Sequence, residues 1–434
     1  PGASADVIAQ TVASPIDLGA TWYPGHDYGP AIDLVEEGYE PGDIVITNDP
    51  YSGYLATHTP DIVMWKPIFH EGRIIAFAGS HIHNVDVGGA VPTSLSRALT
   101  DVHQEGIRIP PMKLYRKGVL DEALLKLLLT NVRIPEQNWG DLQSQVAAVN
   151  TGERRTLDLV RRFGVQTVVD GFADLLDYAE AQARSVLSEL PDGEYHFSEY
   201  CDEDGPQGDP LRLHLKLVIQ GDGAELDFTG SDPQTLSSLN VPTGNHPRHS
   251  LLLVGAYYVL SALCPGILLN FGTTRAFTCH APEGSVLNPQ FPAAVGMRSL
   301  TCGRLRSLIF GAFAQAVPDR MPSAPAGATS IINMSAEDRR TGKRTITAIA
   351  PIVGGATVTA LSSSLGPLWV ANTAAAAASC SIPMARIRSI WAIRIRCGLR
   401  RGMCCAWSPP AGPVAAIRPC VIQRPSCATG RPAG

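Results

Sequence analysis

The chain has 434 residues, 45% of them hydrophobic and 17% charged, with a formal net charge of -5. That length supports two or three domains and a large core. The balance of charge argues against a nucleic-acid-binding surface or a face built for anionic membranes. The first residue is Pro1, which points to a lost natural start, and no targeting peptide is recognisable.

In chain order, residues 42–47 read as a short buried strand. Asn48, Asp49, Pro50 and Gly53 then mark a long turn. Residues 61–69 and 73–79 read as strands joined by His70-Glu71-Gly72, and 80–92 as a loop containing Gly88-Gly89. Helical spacing runs through 119–132, 141–163 and 165–190, closed by Pro191-Asp192-Gly193. The pattern then changes. Residues 211–219 alternate, and Gly221-Asp222-Gly223 turns them into 224–229, a hairpin. Residues 250–264 are apolar, but 15 residues of helix span only about 22 Å. A hydrocarbon core is roughly 30 Å thick, so this segment is expected to be a buried core helix. Residues 270–298 are loop-rich, and 300–317 are helical again. The expected class is α+β, with mixed sheets and helices. Its parts are a metal-binding catalytic region (1–194), a β-richer region (195–354) and a tail (355–434).

The tail differs in kind. From Thr345 to Gly434 there is no Asp, Glu or Lys. Average usage would put roughly 20 charged residues there, of both signs. Arg, Cys, Pro, Ala and Ile dominate instead, the composition of GC-rich DNA read out of frame. A frameshift between about Gly354 and Ala371 is the expectation. Six of the ten cysteines fall in this tail. The other four, Cys201, Cys264, Cys279 and Cys302, form no CxxC pair, which fits a reducing cytoplasm.

Five of the eleven histidines lie between His58 and His103. One cluster is Thr57-His58-Thr59-Pro60-Asp61, and another is His81-Ile82-His83-Asn84-Val85-Asp86. Imidazole with carboxylate is the ligand set of Zn, Mn or Fe sites. His58 and Asp61 flank a proline turn, and His81 and His83 share a face if the strand continues that far. The same spacing also suits a surface hydrogen bond. Competing chemistries are absent: there is no GxSxG elbow, no HExxH helix and no GxxxxGK[ST] loop to hold ATP. Glu105 and Arg108, before Pro110-Pro111, either line a cleft or form a surface ion pair.

Taken together, Asn48-Asp49-Pro50-Tyr51, residues 57–61, 83–89 and 105–111 resemble the hydantoinase B/oxoprolinase family. Asp227-Phe228-Thr229-Gly230, residues 281–285, Asn288-Pro289 and Pro292-Ala293-Ala294 extend the resemblance over roughly 15–354. It implies a divalent Zn or Mn ion held by His58, Asp61 and His83, with Asp86 as ligand, orienting partner or acid/base. Glu105 and Arg108 would lie near the substrate. A second family histidine is replaced by Asn84, which leaves His81 as the candidate fourth ligand. Tyr54-Leu55-Ala56 also departs from the family's Gly-Gly. The resemblance further implies an A-type ATPase partner that binds ATP and phosphorylates the substrate. The function implied is the metal-binding subunit of an ATP-dependent hydrolase of cyclic amides. A carboxylase subunit acting on a ketone-derived substrate and an inactive truncated product are the alternatives.

Overall fold

Ile44–Thr47 is apolar but for Thr47, whose hydroxyl donates to the Ile109 carbonyl, and it becomes the fully buried central strand of a sheet covered on both faces. The computed structural model describes residues 16–18, 21–23, 27–202, 208–321, 332–337, 342 and 344–349. Strands β1 (Ile16–Leu18) and β2 (Thr21–Tyr23) pair, and α1 (Gly29–Ile32) is a single turn. The first sheet contains β3 (Ile44–Thr47), β4 (Asp61–His70), β5 (Arg73–His83), β6 (Met112–Arg116) and β7 (Val119–Leu120). Its order is β5-β4-β3-β6-β7, antiparallel throughout.

Three helices follow: α2 (Glu122–Thr130), α3 (Pro135–Phe163) and α4 (Val165–Ser188). Asp121 caps α2 by accepting from the Leu124 amide, and Pro135 opens α3 at a position needing no N–H. Helix α3 packs on β4 and β5. Gln145 Nε2 donates to the Ile62 carbonyl at 2.8 Å, and Lys66 Nζ reaches Asn150 and Glu153. Between them lie Ile44, Ile46, Ile62, Met64, Leu142 and Val149. Val45, Val63 and Trp65 point the other way, against Ala31 and Leu55. Burial on both faces explains why β4 shows no apolar/polar alternation, with apolar residues at 62–65 followed by a paired Lys66.

The second sheet joins β8 (Gly193–Cys201), β9 (Leu211–Gln220), β10 (Gly223–Asp227) and β11 (Phe277–His280) in the order β11-β10-β9-β8. The β10–β11 pair is parallel and the others antiparallel, so this sheet is mixed. Leu211, Leu213, Leu215 and Leu217 are buried in alternation, as the sequence pattern requires. Their core is completed by α5 (Val254–Leu263), by α7 (Arg298–Ala316) and by Ala183, Val186 and Leu187 of α4. The short α6 (Phe271–Thr274) docks against α4, where any Cβ on Gly272 would run into the Leu176 carbonyl. Strands β12 (Ile332–Glu337) and β13 (Arg344–Ile349) form a separate hairpin.

Several sequence expectations shift. Residues 119–120, expected to open a helix, pair with β6 as β7, and the helix expected from 141 begins at Pro135. The loop expected from Ser80 begins later, because β5 runs on to His83. Its last residues find ladder partners on β4, with His83 opposite Asp61 and His81 opposite Val63. The apolar helix is shorter than expected, ten residues from Val254, and buried. No helix among the described residues is long and apolar enough to cross a membrane. The expected frameshifted tail lies outside the described residues.

Candidate metal centre

The β4–β5 register builds the site. It sets Asp61, the first residue of β4, directly across from His83, the last of β5. His58 precedes them in a turn closed by the Asp61 amide donating to the His58 carbonyl at 3.1 Å. Asn48 ties this turn to neighbouring chain. Its Nδ2 donates to the carbonyls of Thr59 and Ile107, and its Oδ1 accepts from the Ile109 amide.

Three atoms converge. His58 Nε2 lies 2.9 Å from Asp61 Oδ1 and 3.1 Å from His83 Nδ1, and His83 Nδ1 lies 3.1 Å from Asp61 Oδ1. His58 and Asp61 are buried, while His83 is partly exposed and opens the cluster to solvent. His58, Asp61 and His83 are the one group of three or more metal-ligating side chains found among the described residues. The His81 side chain is shielded from solvent and reaches Asp61 Oδ1 at 3.6 Å, but His81 is not in that group.

The protons decide what the triangle is for. His58 Nδ1 faces the Gly296 carbonyl at 2.8 Å, and a carbonyl only accepts, so Nδ1 carries the hydrogen. Burial, then the Arg298 charge, lower the His58 pKa to about 4, so the ring is neutral at pH 7. Its Nε2 is therefore a bare lone pair aimed at a carboxylate oxygen. Burial alone would raise the Asp61 pKa. The charges of protonated His58 and of Arg298, with hydrogen bonds from His58 and His81, outweigh it and hold the group well below the usual range. With His58 neutral, Arg298 is the cation that keeps Asp61 ionised. A proton on His83 Nδ1 does not relieve the His58–Asp61 confrontation at 2.9 Å. A cation does. These three atoms lie close enough together that His58, Asp61 and His83 would hold one ion between them. The residues present fit a divalent metal.

The other carboxylate oxygen of Asp61 is already engaged. Arg298 Nη2 donates to Oδ2 at 2.6 Å, Thr57 Oγ1 donates to it at 2.9 Å, and Arg298 Nε donates to Thr57 Oγ1 at 2.6 Å. This leaves Oδ1 as the Asp61 oxygen that would face an ion. Arg298 was not singled out from the sequence. Nothing in the local pattern of α7 marks it out, since Arg304 and Arg306 follow in the same helix.

Glu105 and Arg108 go separate ways. Glu105 is buried, and its Oε1 accepts from the Val295 and Gly296 amides at 2.5 and 2.7 Å. Burial pushes its pKa up to about 8. Gly89 and Gly106, both at positive φ, let the chain pass close by. A Cβ on Gly89 would come within 2.5 Å of the Gln104 carbonyl oxygen, and one on Gly106 within 2.5 Å of the Val87 oxygen. Arg108 instead reaches Asp49 Oδ2 at 3.3 Å and lines an open cleft of about 810 Å³. Asp86 is not brought to the cluster. Its oxygens accept from Arg133 Nη1 at 2.7 Å and from the amides of Arg133, Gly88 and Thr93. Asn84 turns away from the triangle, toward the Pro60 carbonyl and Asn138.

A family model described as hydantoinase B/oxoprolinase matches residues 2–373. The caprolactamase subunit beta of Pseudomonas jessenii is 32% identical over 69% of this chain and 50% of its own length. The crystal structure of the ATP-dependent caprolactamase from that organism superposes with a TM-score of 0.66 at 29% identity, covering 73% of this chain and 54% of that one. A nucleotide-free acetone carboxylase structure shares the fold with a TM-score of 0.63 at 18% identity, over 74% of this chain and 44% of that one. The chain thus spans about half the length of these relatives.

Proposed function

The chain belongs to the hydantoinase B/oxoprolinase family, and we propose that it is the metal-binding subunit of an ATP-dependent hydrolase of cyclic amides. The reading extends to a partner. An A-type subunit binds ATP and phosphorylates the substrate, and this chain receives the activated intermediate. Support comes from the caprolactamase relative, whose structure carries the description ATP-dependent, and from the lack of a P-loop motif here. The four described cysteines are free thiols, in keeping with a cytoplasmic setting.

One observation carries the reading. His58 Nε2 faces Asp61 Oδ1 at 2.9 Å with His83 Nδ1 beside both, while His58 Nδ1 is turned to the Gly296 carbonyl. His58, Asp61 and His83 would hold a Zn or Mn ion, and His81 stands nearest as a fourth donor. An ion there supplies Lewis-acid polarisation of a substrate or water oxygen. Around it the chain's own groups have defined tasks. Arg298 and Thr57 hold Asp61 in place, and Glu105 fixes the Gly296 segment that orients His58. Asp86 with Arg133 braces the loop after His83.

Elemental analysis of the purified chain tests the metal, with about one divalent ion per chain expected. Reconstitution with an A-type partner tests the reaction, with ATP-dependent opening of a cyclic amide expected without bicarbonate. ATP turnover that requires bicarbonate would replace this reading with the carboxylase one.

A further inference from the structure

The second sheet carries chemistry on its outer face. In β9, Leu213, Leu215 and Leu217 fill the core, so Arg212, His214 and Lys216 point to the opposite face. The register sets Ser198 of β8 opposite His214, and His196 opposite Lys216. His196 and His214 are therefore diagonal neighbours across two paired strands. Gln315 Nε2, from α7, donates to the His196 carbonyl at 2.6 Å and ties down this stretch of β8. Lys216 is paired with Asp227 at 3.6 Å, which balances its charge.

The two imidazoles meet nitrogen to nitrogen, with His196 Nδ1 at 3.5 Å from His214 Nε2. An oxygen stands behind each ring. Glu194 Oε1 accepts the His196 Nε2 hydrogen at 2.7 Å, which leaves Nδ1 a bare lone pair. Ser198 Oγ lies 3.0 Å from His214 Nδ1. Arg212 Nη2 is nearer to Ser198 Oγ, at 3.2 Å, than to His214 Nδ1, at 3.4 Å. A hydroxyl oxygen has two lone pairs, so Ser198 can accept from both Arg212 and His214 Nδ1 and leave His214 Nε2 bare as well. Burial, then the charges of Arg212 and His196, hold the His214 pKa below the usual imidazole range, so this ring is neutral at pH 7. Gly230, at positive φ, packs over the ring, where a Cβ would stand 3.2 Å from His214 Cδ2. Two imidazole nitrogens bound about 2.0–2.1 Å from one tetrahedral ion stand about 3.3 Å apart. The spacing of 3.5 Å is a small rotation from that. Oxygen partners on the far nitrogens are the usual way of orienting histidine ligands.

We propose that His196 and His214 form a second metal site, on the outer face of β8 and β9, for a divalent ion that favours nitrogen donors: zinc, nickel or copper. It differs in kind from the His58 centre. Among the described residues no carboxylate joins the two nitrogens as a third ligand. Manganese and magnesium, which favour oxygen donors, are therefore poor ions for it. With two protein ligands and water in the remaining positions the ion exchanges, so dialysis removes it and titration reveals it.

The test is calorimetric titration of nickel(II) into the full chain, first equilibrated with zinc and freed of excess, and into its His196→Gln and His214→Gln variants treated alike. The parent should take up about one nickel ion that each variant binds at least about tenfold more weakly. The reading is a difference between chains, so it does not depend on the His58 centre. Glu194→Ala should weaken the same ion by about tenfold, the lower end for loss of an orienting partner. His280→Gln is the control. His280 lies on the same face in β11, opposite Asp227, and its removal should change nothing. Manganese(II) should produce no difference between parent and variants. A second measurement needs no variant: nickel should shield His196 and His214, but not His280, from acylation by diethyl pyrocarbonate, read by peptide mass spectrometry. Equal nickel uptake by the parent and both histidine variants overturns the proposal. So does a loss in His280→Gln as large as theirs, or a His196 that is acylated as fast with nickel as without it.

Discussion

Glu105 and His58 grip the same residue from two sides. The Gly296 amide donates to Glu105 Oε1 at 2.7 Å, and the Gly296 carbonyl accepts from His58 Nδ1 at 2.8 Å. Glu105 thereby sets the backbone that sets the tautomer of a metal ligand. With a pKa of about 8, raised by burial, Glu105 is mostly protonated at neutral pH. Glu105→Gln therefore preserves both the accepting oxygen and the charge state. It should leave metal affinity within about threefold of the parent. Glu105→Ala strands two buried amides at about 1–3 kcal/mol each. It should also weaken metal binding by about 10–100-fold, the usual effect of removing an orienting group. Urea titration and metal competition check the two effects. Equal metal affinity in the alanine and glutamine variants would rule out the positioning role.

The ligand set itself predicts a pattern of losses. His58→Ala or His83→Ala should abolish stoichiometric metal, measured by elemental analysis after dialysis. His70→Ala and His103→Ala should retain it, since neither residue belongs to the cluster. His81→Ala discriminates: full loss makes His81 a ligand, while a drop of about tenfold makes it a partner of Asp61. Protons compete at His58 only as pH approaches about 4, because burial and Arg298 hold that imidazole neutral above it. His58 should therefore not be the reason for any metal loss between pH 7 and 5.5. Undiminished metal in both the His58 and His83 variants would refute the assignment.

How much of this was legible varies with the kind of interaction. Local periodicity placed most helices and both hairpins, because burial of one face leaves a spacing in the sequence. The ligand candidates were legible too, since His and Asp cluster on either side of one hairpin. Two kinds of information were missing. The end of β5 depended on pairing with Asp61 across the sheet, which no local pattern records. The supports of the site come from distant chain: Gly296 and Arg298 lie 238 and 237 residues from their partners His58 and Asp61. Such contacts are set by tertiary packing alone. Glu105 and Arg108, three residues apart, looked like one unit, yet only a folded chain shows one bound to backbone amides and the other facing a cleft.

Arg298 is the strongest of these distant supports. It is buried, at 2.6 Å from both Asp61 Oδ2 and Thr57 Oγ1. Removing one partner of a buried ion pair costs about 3–5 kcal/mol, because the other charge stays desolvated. Arg298→Met should destabilise the metal-free chain by that order and free Asp61 to turn. Thr57→Val removes a neutral hydroxyl and should cost about 1–2 kcal/mol. Denaturant midpoints give both values. In each variant the loss should be smaller once metal is added, since the ion replaces part of the missing positive charge beside Asp61. A loss that metal leaves unchanged would show that Arg298 supports the helix rather than the ligand.

His249 offers a pH probe away from the metal. It is buried, its Nε2 donates to the Tyr54 carbonyl at 3.0 Å, and its Nδ1 accepts from the Leu251 amide at 3.2 Å. Both nitrogens are used in one neutral tautomer, so a second proton must break the Leu251 bond. Burial lowers the pKa to about 4, against about 6.5 in an unfolded chain. Between those values the unfolded state binds a proton that the folded state does not. Stability therefore falls as pH falls from about 6.5 to 4, by about 1.4 kcal/mol per unit for this group. His58 adds a slope of the same sign in the metal-free chain. Glu105, with its folded pKa raised to about 8, is protonated when folded and ionised when unfolded between about 4.5 and 8, and so adds the opposite slope. The difference between parent and His249→Gln cancels both. That difference should shrink steadily from pH 6.5 to 4.5 in urea titrations with chelator present. Parallel stability curves for the two proteins would mean that His249 is not held neutral by the fold.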